Sequence, residues 1–163
     1  MHFEEPCPYG SQRLSSGDLM LGWKCFDSYE SLLPFGWRRS GDILYRYRCE
    51  GCANCIPLRL SAATYPSSGK RAQRLKRLNE DLVVTIAAAT HQEEHLLLYD
   101  KYVRKRHGQS GASVEDSYKS LLSSPMAAVS EYRNERGALV GIGFLDLLPF
   151  GLSSVYFAFD PDE

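Results

Sequence analysis

The sequence predicts an α/β (α+β) protein in which a cysteine-rich N-terminal lobe precedes an antiparallel sheet with helices. Three observations predict this fold class. Three cysteines lie between two strand-like runs, helical patterns follow in the middle of the chain, and three consecutive strand-like segments come last. With 163 residues, 44% of them hydrophobic, the chain is long enough to bury a core without disulfide bonds.

The first predicted elements are a short helix and two strands. The helix begins at Asp27 or Ser28, which are good capping residues, and Gly36 ends it. The runs GDILYRYR (41–48) and IPLRLSA (56–62) favour strands, so the cysteines occupy the connection between them.

Helical patterns dominate the middle of the chain. In residues 67–79 a helix is predicted, with Leu75 and Leu78 on one apolar face, and residues 82–89 (LVVTIAAA) are expected to form a buried strand. A second amphipathic helix is predicted over 91–107.

A third helix and a meander complete the predicted elements. Gly108 stops the second helix, and Ser113 followed by Asp116 resembles the capping box of a helix that runs through Leu122. Three strand candidates then follow, AAVSEYRN, ALVGIGFLDLL and LSSVYFAF, joined by the turns NERG and PFG. This pattern is typical of an antiparallel meander, and we expect one edge and one face of its sheet to be uncovered.

Composition narrows the class of partner. No apolar run is long enough for a membrane span or a signal peptide, so we expect a cytoplasmic protein. The net charge is −1, but residues 1–107 hold 16 Lys and Arg against 12 Asp and Glu, whereas the remainder holds 3 against 8. A polyanionic partner is therefore expected to meet the first two-thirds of the chain.

The cysteines are the strongest candidates for a metal site. Cys49, Cys52 and Cys55 form a C-x2-C-x2-C motif, and Cys7 is the best fourth ligand because it also lies beside a proline in a turn-forming segment. Four thiolates suit either tetrahedral zinc or an iron–sulfur cluster, and the spacing does not choose between them. The alternative is a set of buried apolar thiols, which is the interpretation we adopt for Cys25.

A basic run predicts a surface for nucleic acid. A stretch of eight residues in the first long predicted helix contains five cations: Lys70, Arg71, Arg74, Lys76 and Arg77. These cations could contact successive phosphates without recognising a nucleotide sequence. The alternative is an ordinary solvated helix face. Further arginines extend the predicted basic surface: Arg38, Arg39, Arg46, Arg48 and Arg59.

Three residues are candidates for catalysis. His107 ends a helix, where a histidine acts either as a base or as a C-terminal charge partner. Tyr156 and Asp160, like Asp146, lie near the ends of meander strands, where a cleft would form, although such residues are also common in packing and turns. The sequence contains no P-loop, dinucleotide fingerprint or Ser-His-Asp pattern.

Five ordered segments together resemble the arginyl-tRNA–protein transferase family, including its bacterial aspartate/glutamate leucyltransferases. They are PCPY, GWRRSGDILYRYRCEGCANCIPLRL, PSSGKRAQRLKRLNEDL, LYDKYVRKRHGQ and LSSVYFAFDPD. The resemblance implies transfer of arginine or leucine from aminoacyl-tRNA to the α-amine of proteins that begin with Asp or Glu, which marks them for degradation. It also implies that the four cysteines named above are metal ligands.

The resemblance further implies two regions. Residues 1–66 correspond to the family's cysteine-rich N-terminal region, and residues 67–163 to its C-terminal region, which is similar to the Gcn5-related acetyltransferases. The implied reaction needs few catalytic groups, because the aminoacyl ester is already activated. The attacking N-terminal amine has a reference pKa of about 7.7 to 8.0, so part of it is neutral at cellular pH. Positioning, an oxyanion donor such as Tyr156 and an arginine for the acceptor carboxylate are then sufficient.

Three departures from the family pattern stand out. Gly69, Ala72 and Gln73 interrupt the basic run, and Gly10 follows PCPY where the bacterial branch has leucine. Related chains continue well past the DPD segment, so we expect a C-terminally truncated form with an incomplete sheet. Two other functions stay open: a non-catalytic module in which a zinc knuckle binds tRNA or another RNA, and an N-acyltransferase that uses acyl-CoA.

Overall fold

The computed structural model describes residues 1–7, 9–10, 13–21, 26–65, 68–108 and 111–163, with residue 112 described by its backbone alone. These residues form an α+β fold with two four-stranded antiparallel sheets. The four helices are α1 Tyr29–Leu32, α2 Lys70–Leu78, α3 Glu93–His107 and α4 Ala112–Leu122. No helix in the described ranges is long and apolar enough to cross a membrane.

The first sheet has the strand order β1-β2-β4-β3. Its strands are β1 His2–Pro6, β2 Leu14–Leu21, β3 Arg38–Ser40 and β4 Ile43–Tyr47. The strand predicted over residues 41–48 is confirmed as β4, whereas β1, β2 and β3 were not predicted. Polar residues interrupt each of these three strands, so none has a clear apolar alternation.

The strand predicted over residues 56–62 is wrong. Residues 52–61 contain neither helix nor strand, and Ile56, Leu58 and Leu60 are 71%, 86% and 78% exposed. The segment alternates apolar and other residues as a strand does, but in the described residues no neighbouring strand pairs with it. Pro57 also lacks the amide that a ladder needs.

The second sheet is the predicted meander, extended by one strand. Its order is β5-β6-β7-β8, and every pair is antiparallel. The strands are β5 Val83–Ala88, β6 Ala127–Arg133, β7 Leu139–Leu148 and β8 Gly151–Phe159. Helices α3 and α4 cover one face and bury a core that includes Tyr99, Val103, Tyr118, Ile142 and Phe144.

The sequence predicted the types of the elements better than it predicted which of their residues are buried. The strand expected to be buried is β5, an edge strand in which Val83, Val84 and Ile86 are each more than half exposed. Helix α2 is likewise exposed along its length, so its predicted apolar face at Leu75 and Leu78 packs against no core. Periodicity shows that a face is apolar, but whether that face is covered depends on its neighbours.

The helix ends differ in detail from the prediction. Helix α3 ends as expected at Gly108, which has φ +65°, a conformation that glycine adopts without strain. Ser113 is not the cap of α4, because Gly111 precedes the helix and Ser113 lies inside its first turn. Ser28 precedes α1, but its side chain makes no capping hydrogen bond.

Arg39 of β3 joins the two sheets. Its Nε donates to Asp146 Oδ2 at 2.8 Å and Oδ1 at 3.1 Å, and both side chains are fully buried. Its Nη1 and Nη2 donate to Gly41 O at 3.0 Å and Leu121 O at 3.1 Å. A single guanidinium therefore connects β3, the last turn of α4 and β7.

A second contact supports the same joint. Tyr29 of α1 is fully buried, and its hydroxyl lies 3.3 Å from Ser153 Oγ in β8. Its ring packs with Trp37 and Leu44 in a small core that Leu148 of β7 also touches. Beside it, Glu30 Oε1 accepts a hydrogen bond of 2.8 Å from the amide of Phe150.

Asp146→Ala is expected to lower the free energy of unfolding by about 3–5 kcal/mol, because it leaves the Arg39 guanidinium buried without its counter-charge. Urea denaturation measures this effect. Asp100→Ala is the matched control, since Asp100 pairs with Arg104 on the surface of α3 at 2.7 Å and should change stability by about 0.5 kcal/mol or less. Equal effects of the two substitutions would contradict the role assigned to Arg39.

Candidate functional site

Two of the predicted catalytic residues meet at β8, an edge strand of the second sheet. His107 is the last residue of α3, and its Nε2 lies 3.2 Å from the hydroxyl of Tyr156 in β8. Which atom donates depends on the imidazole tautomer. Tyr99 and Tyr102 pack edge-on against the Tyr156 ring, with centroids at 5.8 Å and 6.2 Å.

These rings set the chemistry of the Tyr156 phenol. Burial, followed by the neighbouring hydroxyls of Tyr99 and Tyr102, raises the pKa of Tyr156 to about 12. The phenol therefore keeps its proton at neutral pH and is suited to donate a hydrogen bond to a developing negative charge. It is not suited to act as a base.

Asp160 lies close by but is engaged elsewhere. Its carboxylate accepts hydrogen bonds from Lys101 Nζ at 2.6 Å and 2.8 Å, and from the amide of Asp162 at 2.9 Å. The bond from Lys101 lowers the pKa of Asp160, which stays ionised. Asp162 also pairs with Lys101, at 3.1 Å, and with Lys105. Within the described residues, Asp160 has no bond to His107 or Tyr156, and its contacts attach the segment after β8 to α3.

The predicted nucleic-acid residues all lie on α2. Lys70, Arg71, Arg74, Lys76 and Arg77 are exposed, and none forms an ion pair with a carboxylate in the described part of the chain. Among the described residues, no buried core covers either side of this helix. The five cations are thus accessible to phosphates. Their contact with nucleic acid stays a prediction.

The four predicted metal ligands share one region of the first sheet. Cys7, Cys49 and Cys52 line a cavity of about 360 Å³, and Cys7, Cys52 and Cys55 line a larger one of about 710 Å³. Desolvation and then the nearby Cys49, Cys52 and Cys7 raise the pKa of Cys55, so the thiols are close enough to interact. Among the described residues, however, no three Cys, His, Asp or Glu side chains form a metal site as they stand.

The thiols therefore fit the chemistry of a metal site but do not form a complete coordination sphere. Cys49 Sγ accepts a hydrogen bond of 3.4 Å from the amide of Ser16 in β2 and donates to the carbonyl of the same residue at 3.6 Å. Gly51, with φ +66°, permits the turn between Cys49 and Cys52. Cys25 lies outside the described residues.

Sequence reasoning missed the polar groups that the fold brings together from distant segments. Asp146 was considered for the cleft, but it is the buried partner of Arg39. His95 of α3 is fully buried, with Nε2 2.9 Å from Glu131 Oε1. Arg133 binds both Glu131 and Glu94, at 3.0 Å and 2.6 Å. The two adjacent arginines in GWRRSG were the one available signal, since neighbouring strand residues face opposite sides.

These features define an α+β protein with a basic first half, a group of neighbouring thiols and a histidine–tyrosine pair on its second sheet. The family profile described as "Arginine-tRNA-protein transferase, N terminus" matches residues 5–74, and the one described as "Arginine-tRNA-protein transferase, C terminus" matches residues 94–163. The chain belongs to the arginine-tRNA-protein transferase family.

Curated relatives agree with this assignment. The chain is 38% identical to an aspartate/glutamate leucyltransferase of Saccharophagus degradans over 139 residues, and 40% identical to one of Pseudomonas putida strain F1. Each match covers 83% of this chain and 58% of the relative. The chain thus matches little more than half the length of these relatives.

A solved structure described as L-PGS from Bacillus licheniformis is also similar, with a TM-score of 0.42 and 17% identity. That match covers 62% of this chain and 35% of the other.

Alkaline titration is expected to show the raised pKa of Tyr156 directly. The difference in phenolate absorbance between the unmodified chain and Tyr156→Phe should rise only near pH 12, because the buried ring resists ionisation. Tyr65→Phe is a control at a tyrosine that is 49% exposed. A difference that rises near pH 10, the reference value for tyrosine, would contradict the environment described for Tyr156.

Proposed function

We propose that this chain transfers an amino acid from aminoacyl-tRNA to the N-terminal α-amine of proteins that begin with aspartate or glutamate. The observation that carries the proposal is the His107–Tyr156 pair, 3.2 Å apart, within the segment that matches the family's C-terminal profile. The names of the curated relatives favour leucine as the transferred amino acid, whereas the name of the family favours arginine.

The two residues have distinct roles in the proposed reaction. The α-amine attacks the ester carbonyl, a C–N bond forms, and the C–O bond to the tRNA ribose breaks. Tyr156, which keeps its proton, donates a hydrogen bond to the oxyanion of the tetrahedral intermediate. His107 takes a proton from the attacking amine and returns it to the departing ribose oxygen. Asp160 supports this site by fixing Lys101 and the end of β8.

The two regions divide the work. Residues 67–163 form an acetyltransferase-like region whose sheet admits the activated ester, and residues 1–66 form the cysteine-rich region. The exposed cations of α2, headed by Lys70 and Arg74, contact the tRNA backbone through salt-dependent contacts. The acceptor proteins are those destined for degradation in the cytoplasm.

Cys7, Cys49, Cys52 and Cys55 hold zinc or an iron–sulfur cluster in this proposal. Their convergence on two adjoining cavities supports it, and four thiolates suit either group. When bound, the group acts as a structural cross-link between the N-terminal segment and the connection after β4, so its binding energy adds to the stability of the first sheet.

Incubation of the purified chain with charged tRNA and a peptide that begins with Asp tests the transfer. Mass spectrometry should show one added leucyl or arginyl residue, and none on a matched peptide that begins with Asn. Tyr156→Phe should slow transfer about a hundredfold, the effect of losing one oxyanion donor. Tyr132→Phe, on the opposite face of the sheet, is the matched control and should leave the rate unchanged.

The outcome that opposes this proposal is specific. If the chain extends the peptide with neither leucyl-tRNA nor arginyl-tRNA, while the Pseudomonas putida relative does extend it, the chain is not a transferase. Equal affinity for charged and uncharged tRNA in the same experiment would then favour an RNA-binding module.

Metal analysis of the purified chain tests the thiol proposal. One zinc per chain without colour indicates a structural zinc site, and a broad visible band with iron and sulfide indicates a cluster. Cys52→Ala should lose the metal and lower the unfolding midpoint, whereas Cys25→Ala, a control chosen from the sequence, should keep it. Unchanged metal content and stability in Cys52→Ala would show that these thiols hold no metal.

A further inference from the structure

The larger cavity beside the thiols has the chemistry of a binding site. It has a volume of about 710 Å³, within the range of about 300 to 1,000 Å³ that is typical of sites for small ligands. Its described lining includes Arg13, Arg38 and Arg46 but no aspartate or glutamate. The three guanidinium groups favour a ligand that carries negative charge.

The guanidinium groups are only partly used by the protein. Arg38 Nη1 donates to the carbonyls of Trp37 at 2.7 Å and Leu33 at 3.4 Å, and in the described residues Arg38 has no carboxylate partner. Arg13 also lacks one within the ranges that the structure describes. Arg46 pairs with Asp18 at 2.9 Å, but its buried Nε has no hydrogen-bond acceptor among the described residues. Donor capacity remains for an incoming anion.

Aromatic rings surround these cations. Tyr9 and Phe35 line the cavity and are 85% and 68% exposed, while Tyr45 and Tyr47 form a half-buried edge-to-face pair with centroids 5.5 Å apart. Flat rings exposed beside a positive groove are typical of proteins that stack unpaired bases. A carboxylate side chain would use the arginines and leave the rings without a role.

The fold explains why the cations face this way. Arg38 and Tyr45 are cross-strand partners in β3 and β4, so both lie on the cavity face of the sheet. Arg39 is paired with Leu44 on the opposite face, where it reaches Asp146. Gly36, with φ +85°, ends the turn after α1, and a Cβ there would lie 3.8 Å from both Arg46 and Pro57. The Arg46 and Pro57 side chains of the cavity wall thus lie beside the same turn that carries Phe35.

We infer that this cavity binds an unpaired nucleotide, with the base stacked on Phe35 or Tyr9 and the phosphate held by Arg38 and Arg13. The inference rests on the proposed function, because it identifies the cavity as the place where an unpaired nucleotide that precedes the terminal adenosine of the aminoacyl-tRNA is held, which leaves the aminoacyl ester itself to the His107–Tyr156 pair. It assigns to the first sheet a role separate from that of the basic helix α2, which would contact the double-stranded part of the same tRNA.

Direct binding of a labelled CCA ribotrinucleotide to the whole chain tests the inference, using fluorescence anisotropy at low salt. Phe35→Leu keeps the apolar volume but removes the ring, and it should weaken binding at least about fivefold. Its matched control is Phe150→Leu, at a phenylalanine that is 96% exposed elsewhere, and this change should leave the Kd unaltered.

Arg38→Ala tests the phosphate contact. It should weaken binding about tenfold and reduce the slope of log K against log salt by about 0.7, the value for one phosphate contact on a single strand. An unfolded variant would lose binding altogether and would not show this defined change in the salt slope. Thermal unfolding of each variant checks the fold separately. Arg136→Ala, at an exposed arginine in the β6–β7 turn, removes the same charge and should leave both quantities unchanged.

Three outcomes would overturn the inference. The first is that the trinucleotide fails to bind at millimolar concentration. The second is that Phe35→Leu and Arg38→Ala bind it as tightly as their controls do. The third is that a peptide that begins with Asp displaces the trinucleotide and that the binding of this peptide, instead, requires Arg38. Peptide transfer that persists with unchanged trinucleotide binding in Arg38→Ala would refute the nucleotide pocket alone. Trinucleotide binding without any peptide transfer would refute the proposed function and leave the pocket standing.

Discussion

The buried ion pair between Arg39 and Asp146 is the constraint on which the arrangement of this chain depends. Two charges removed from water are tolerated only when each hydrogen-bonding group finds a partner. Arg39 meets this condition by donating to Asp146 in β7, to Gly41 beside β3 and to Leu121 in α4. Leu121 lies in the last turn of α4, where carbonyls lack the amide four residues on, so the guanidinium satisfies the Leu121 carbonyl while it aligns the two sheets.

This joint determines what each face of β3 does. Because neighbouring strand residues point to opposite sides, fixing Arg39 toward β7 directs Arg38 away from the second sheet and toward the cavity beside the thiols. Tyr29 and Glu30 bind the β7–β8 end of the second sheet next to the same joint. The cationic cavity and the histidine–tyrosine pair are thus carried by one connected framework, although they lie on different sheets.

The elements that were predicted correctly are those whose signal is local. The β6–β8 meander has strong apolar runs separated by good turn residues, and α3 has a clear period and a glycine at its end. The strands β1 to β3 carry polar residues, and only the pairing of β1 with β2 and of β2 and β3 with β4 makes them strands. The opposite error occurred at residues 56–62, where a strand-like pattern has no partner in the described residues. A ladder belongs to two segments, so one segment cannot specify it.

The sequence by itself determined the chemical groups available to this protein: four thiols in two segments, a basic helix, His107 at the end of a helix and Tyr156 in the last strand. The order of its motifs also determined its family. The tertiary structure alone decided which groups meet. It placed His107 against Tyr156, paired Asp160 with Lys101, and buried Arg39 with Asp146, while Arg38 has no carboxylate partner among the described residues. The physical reason is that hydrogen bonds and desolvation act over a few ångströms, between residues that the sequence separates by up to 124 positions.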